Sequence, residues 1–152
     1  MAIFTGADIL LPKNADYEKW AVIACDQFTS QPEYWDEVAK QVGDAPSTLH
    51  MILPEVKLPG TDAQIARIHK TMAAYLAGDV FAEYKDSYIY VERTLLDGSV
   101  RKGLVGALDL DQYDYHPDTV APVRATEATV QERIPPRMEV RRGACLELPP
   151  VM

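Results

Sequence analysis

Residues 88–110 read YIYVERTLLDGSVRKGLVGALDL. Residues 88–96 are rich in aromatic and β-branched side chains, Asp97-Gly98 is a hairpin turn signal, and residues 100–110 read as the returning strand. A different period precedes them. Thr61-Asp62-Ala63-Gln64 matches a capping box, and Ile65, Ile68, Met72, Tyr75 and Leu76 recur at helical spacing before Gly78, a C-cap. A strong helix leading to a hairpin predicts a mixed α/β (α+β) fold, with a mostly antiparallel sheet and two main helices.

The second main helix lies upstream. Residues 19–25, KWAVIAC, form a short apolar run and are read as a buried strand. Ser30-Gln31-Pro32-Glu33 then matches a capping box with proline in the first turn. The helix it predicts runs to about Gly43, with Tyr34, Trp35, Val38, Ala39 and Val42 on one face. Residues 49–53, LHMIL, are read as another strand, closed by Pro54.

Downstream, residues 113–122 are irregular and aromatic. Thr126 or Thr129 is expected to cap a short helix that ends before Pro135-Pro136. Residues 137–142, RMEVRR, alternate as a strand does. The abrupt apolar end, LELPPVM, reads as the edge of a truncated chain. Nothing divides the 152 residues, so 1–152 are expected to be a single domain, the N-terminal portion of a longer protein.

Composition limits the function classes. At 47% hydrophobic residues the chain is globular rather than disordered. No apolar run reaches the roughly 20 residues of a membrane helix, and the N-terminus lacks the parts of a signal peptide. A cytoplasmic protein with no membrane association is expected. Cys25 and Cys145 are read as reduced, buried thiols. The net charge of −8 disfavours nucleic acid as a partner.

That charge is unevenly spread. Residues 1–123 hold ten Lys or Arg against nineteen Asp or Glu, while residues 124–152 hold five against four, all five of them arginine. Arginine makes fixed, forked contacts with phosphate or carboxylate. Arg124, Thr126, Thr129, Arg133 and Arg137 are therefore the candidate ligand-binding residues, around a helix start whose free N–H groups attract an anion. Solvated surface pairing with Glu127, Glu132, Glu139 and Glu147 is the competing reading. Asp26, at the end of the expected strand, and Glu127 are the candidate acid/base or metal-holding residues. Cys25 is a nucleophile only if its thiol is activated.

Other sites are absent from the sequence. There is no GxxxxGK[ST] loop and no GxSxG elbow, and Gly103-Leu104-Val105-Gly106 lacks the strand-then-helix setting of a nucleotide loop. Its glycines are read as a bulge or close packing. His50, His69 and His116 have no metal-ligand spacing, so no metal residues are assigned.

The blocks ILLPK, WAVIACDQFTSQPEYW, VGDAPSTLHMILPE, IYVERT, GLVGALDL, YDY and RATEATVQERIPPR, which cover nearly the whole chain in order, resemble the domain of unknown function 1015 family. Some members carry a ParB-like label. ParB-type folds include nucleotide-binding switches and free-serine kinases that hold phosphates with an arginine-bearing helix start. The resemblance implies that role for the RATE segment and transfers no catalytic residue.

Two function readings follow. The first is a small-molecule enzyme of kinase or phosphotransferase type acting on a phosphorylated or nucleotide ligand, with a nucleotide and Mg2+ as the cofactor it calls for. The second is a non-catalytic binding or assembly module, a homo-oligomer or partner-bound protein joined through the C-terminal strand.

Overall fold

The computed structural model describes residues 3–125 and 130–148, the Arg133 side chain aside. In chain order it contains β1 (Phe4–Thr5), β2 (Ala7–Pro12), α1 (Tyr17–Trp20), α2 (Pro32–Val42), α3 (Asp62–Ala77), β3 (Phe81–Ser87), β4 (Ile89–Thr94), β5 (Val100–Val105), β6 (Ala107–Leu108), β7 (Tyr113–Asp114), β8 (Val123–Arg124) and α4 (Ile134–Arg142). Short 3-10 turns cover Thr48–Met51, Glu55–Lys57, Leu110–Gln112 and Gln131–Arg133. This is a mixed α/β chain in which α2 and α3 are the two longest helices.

The chain forms two compact units. One comprises Met1–Leu11 and Ala82–Thr129, the other Pro12–Phe81 and Val130–Met152. The first unit holds the strand pairs. β4 and β5 pair antiparallel from Thr94↔Val100 to Ile89↔Val105. Gly98 donates its N–H to the Leu95 carbonyl at 3.0 Å and has φ of +81°, a left-handed conformation that glycine adopts without penalty. The turn is thus a three-residue loop closed by a glycine bulge. The returning strand is shorter than expected. It breaks at Gly106, where a Cβ would stand 2.6 Å from the Thr5 carbonyl oxygen. Beyond it β6 pairs antiparallel with β1, and β7 pairs parallel with β8.

The second unit holds the larger core. Trp20, Met51, Ile68 and Met72 are buried together, with Leu53, Tyr75, Phe81, Val140 and Leu146 packed on them. The α3 capping box forms on both sides. Thr61 Oγ1 accepts the Gln64 N–H at 3.2 Å, and Gln64 Oε1 accepts the Thr61 N–H at 2.8 Å. Ile68 and Met72 then point inward, as the periodicity predicts.

Four local expectations are corrected. Residues 19–25 are not a strand. Asp16 accepts the Glu18 N–H and caps α1 instead, and the Trp20 carbonyl accepts from the Ser47 and Thr48 hydroxyls at 3.3 and 2.8 Å. Side chains thus do what a ladder would have done. Residues 49–53 are not a strand: Leu49–Met51 belong to the 3-10 turn Thr48–Met51, because the Ser47 side chain accepts the Leu49 N–H and starts a helical turn. The cap of α2 is Gln31, with no side-chain bond. Ser30 stands one residue too early, and Pro32 fixes the first turn.

The fourth correction is the largest. Residues 137–142 belong to α4, which begins at Ile134 and runs through Pro135-Pro136 rather than stopping before them. Prolines are tolerated in a first turn, where their missing N–H has no helical partner anyway. The C-terminal strand through which assembly was expected is therefore a helix. No helix among the described residues is long and apolar enough to cross a membrane.

Candidate functional site

Three segments of the second unit meet at one guanidinium. The first is the turn after α1, Cys25-Asp26-Gln27-Phe28. Its carbonyl at Cys25 accepts the Glu55 N–H at 2.8 Å, which seats the second segment, the 3-10 turn Glu55–Lys57, beside it. The Trp35 indole donates to the Gln27 carbonyl at 3.2 Å and ties the turn to α2. Phe28 sits at φ of +52°, a costly backbone conformation for an aromatic residue, and its ring stacks on Tyr34 with centroids 4.0 Å apart.

The third segment is α4. His69 Nε2 lies 2.6 Å from the Val140 carbonyl oxygen, so α3 holds α4 near its C-terminal end. Arg137 then reaches the other two segments. Its Nη2 donates to Glu55 Oε2 at 3.2 Å and lies 3.8 Å from Asp26 Oδ2. Gln27 Nε2 donates to Asp26 Oδ1 at 3.2 Å.

The electrostatics follow from this placement. One guanidinium faces two carboxylates, so these three groups sum to one negative charge. Cys25 adjoins them. Burial pushes its thiol up, the Arg137 charge pulls it down, and Asp26 and Glu55 raise it again, leaving it above its ordinary value. A thiol raised in this way is protonated at neutral pH and is a poor nucleophile. Among the described residues no group of three His, Cys, Asp or Glu is arranged to hold a metal ion.

A model of the family described as a protein of unknown function (DUF1015) matches residues 8–152. The chain belongs to the DUF1015 family. No curated protein and no solved structure matches it.

Within this DUF1015 chain the sequence candidates are dispersed. Asp26 and Arg137 come together. Arg124 lies exposed on β8 in the other unit, opposite Asp114 of β7. Thr126, Glu127 and Thr129 lie outside the described residues. Arg133 ends the turn before α4, and its side chain is likewise outside them. Arg141 and Arg142 occupy the last turn of α4, where cations complement the helix dipole, and they pair with Glu147 and Glu139.

Two groups were missed by sequence reasoning. Glu55 has only one local signal, its place directly after Pro54 at the start of a turn. His116 was set aside with the other histidines, but its ring is bonded to Asp114. His50 Nε2 is buried with no partner among the described residues. Both cysteines are free, but neither is fully buried as expected: Cys25 is half-buried, and Cys145 is exposed past the end of α4.

Proposed function

We propose that this DUF1015 protein binds a phosphorylated small molecule of the nucleotide class, as its Mg2+ complex, at the Arg137 cluster, and acts on it as a phosphotransferase-type enzyme. The observation that carries this reading is the meeting of Arg137 with Asp26 and Glu55. A guanidinium is the side chain suited to forked phosphate contact. Two carboxylates beside one guanidinium suit a metal-bound phosphate. Mg2+ keeps several waters and takes one or two carboxylates together with substrate phosphates, so Asp26 and Glu55 suit the metal while Arg137 suits the phosphate. Asp26 is then also the acid/base candidate. Thr126, Glu127, Thr129 and Arg133 precede α4 in the chain and keep their proposed roles on sequence grounds.

Calorimetric titration with ATP, CTP and ADP, with and without Mg2+, tests the reading. Binding that requires Mg2+ and weakens about tenfold in Arg137→Ala is expected, the loss of one charge-assisted contact. Absence of binding, or binding unchanged in that variant, sinks it.

A second reading, a non-catalytic assembly module, has its own support. Among the described residues Ile9 is the one buried hydrophobic side chain of the first unit, while Leu96 and Val120 there are almost fully exposed. A strand-built unit with so little core gains from a partner that covers it. Light scattering distinguishes the two: a stable homo-oligomer favours assembly, and a clean monomer argues against it.

A further inference from the structure

A second constellation lies in the first unit, in the segment YDYHPDTVAPVR, residues 113–124. Asp114 closes β7. Its Oδ1 accepts the His116 backbone N–H at 3.0 Å and faces the His116 ring Nδ1 at 2.5 Å. Its Oδ2 accepts the Thr119 hydroxyl at 2.7 Å, and the Thr119 oxygen accepts the Ala121 N–H at 3.1 Å. These donors pull the Asp114 carboxyl down to about 2, first the His116 N–H, then the Thr119 hydroxyl and the His116 ring. The carboxylate is therefore ionised at neutral pH and only accepts.

The tautomer of His116 follows. Because Asp114 only accepts, the proton of the neutral ring sits on Nδ1 and the lone pair on Nε2. The ring stacks on Tyr115, with centroids 4.8 Å apart and planes within 17°, and its side chain is 71% exposed, so Nε2 is open to a ligand. This is the arrangement in which a carboxylate orients an imidazole for proton exchange at its far nitrogen.

An arginine lies on the neighbouring strand. Arg124 is the register partner of Asp114 across the parallel β7–β8 pair. Paired strands run about 4.8 Å apart. Arg124 is exposed and forms no ion pair among the described residues. The Arg137 cluster is internally neutralised in part, whereas this arginine is uncommitted.

We propose that Arg124 and His116, the latter oriented by Asp114, form a site for a phosphate monoester or inorganic phosphate, in which His116 Nε2 exchanges a proton with the bound group. The chemical class follows from matching. A phosphate monoester or inorganic phosphate brings both a negative charge for the guanidinium and a proton that it loses near pH 6, and an imidazole nitrogen with an open lone pair can accept that proton. On transfer, the P–OH bond yields its proton to Nε2, the phosphate becomes the dianion facing Arg124, and the imidazolium faces the Asp114 carboxylate. A sulfate carries charge but no exchangeable proton near neutral pH.

Nitrogen-15 NMR of the histidine rings, with inorganic phosphate and with sulfate as probes, tests the site. The Nδ1–H tautomer of His116 is expected in the intact chain and lost in Asp114→Asn. Phosphate is expected to move the Nε2 resonance, with affinity reduced about tenfold in Arg124→Ala, and sulfate is expected to move it less. Circular dichroism checks that both variants fold. A His116 resonance indifferent to phosphate, equally displaced in Arg124→Ala, or moved as far by sulfate overturns the proposal. Its outcome is independent of Arg137, whose variant tests the nucleotide reading.

Discussion

Replacing Arg137 by Met keeps the length and apolar stem of the side chain and removes its charge. The cost can be bounded from the structure. The Glu55 side chain is 17% exposed and that of Arg137 is 47% exposed, so the pair is neither a surface nor a core ion pair. Exposed pairs contribute about 0.2–1 kcal/mol, and breaking a buried pair costs about 3–5 kcal/mol. The intermediate exposure and the 3.2 Å contact place Arg137→Met at about 1–2 kcal/mol. Part of this is repulsion between Glu55 and Asp26 once the cation between them is gone. Urea denaturation followed by tryptophan fluorescence is the assay, because both tryptophans, Trp20 and Trp35, belong to the unit that contains Arg137. A double-mutant cycle with Glu55→Gln isolates the pair, with an expected coupling of about 1 kcal/mol. Coupling indistinguishable from zero would refute the bond and, with it, the convergence of the three segments.

Three further outcomes are expected. The Asp114 carboxyl titrates at about 2, below its ordinary value of 3.8, so it stabilises the 114–121 loop above that range and loses the effect as pH falls towards 2. The protection of the His116 and Ala121 amides, taken as exchange relative to an unstructured chain at the same pH, should fall between those values and be constant above pH 5. Arg137→Ala removes the charge that pulls the Cys25 thiol down, so alkylation by iodoacetamide at pH 8 should slow, while Glu55→Gln should speed it. Rates moving in the same direction would contradict the electrostatic account. Gly143→Ala places a Cβ 2.6 Å from the His69 ring, and the overpacking should cost about 1–3 kcal/mol in thermal or urea denaturation.

What the sequence revealed depended on how local each signal was. Thr61 and Gln64 satisfy each other across three residues, so the α3 start was legible. The β4–β5 hairpin was legible because Asp97-Gly98 supplies its own turn. The run 19–25 misled, since apolarity over seven residues does not say whether a chain finds a ladder partner. Here the Trp20 carbonyl goes to hydroxyls from residues 47 and 48, which no local pattern encodes. RMEVRR fits a period of 2 and a period of 3.6 equally over six residues, and the prolines before it were read as an end when they mark a beginning. At the candidate site, Asp26 and Arg137 were each visible as types of residue. Their meeting was not, because it depends on α4 being a helix and on Glu55, which no motif flags. Asp114 and His116 are two residues apart, so their pairing is local, but nothing in the sequence marks His116 as more than a surface histidine beside an acid.

The division of the chain into units has a kinetic consequence. Arg137 and Glu55 are separated by 82 residues, and residues 82–129 fold into the other unit between them. Closing that span costs entropy before any contact repays it, so α4 is expected to dock late and to complete the Arg137 cluster last. Trp20, Met51, Ile68 and Met72 reside before the span, and Val140, Ala144, Leu146 and Leu148 after it. A single backbone cut at the exposed hairpin tip, beside Leu96, would therefore leave two fragments that each carry one side of the same core. Those fragments are expected to associate without a covalent link, which makes the interior of this small protein behave as a bimolecular interface.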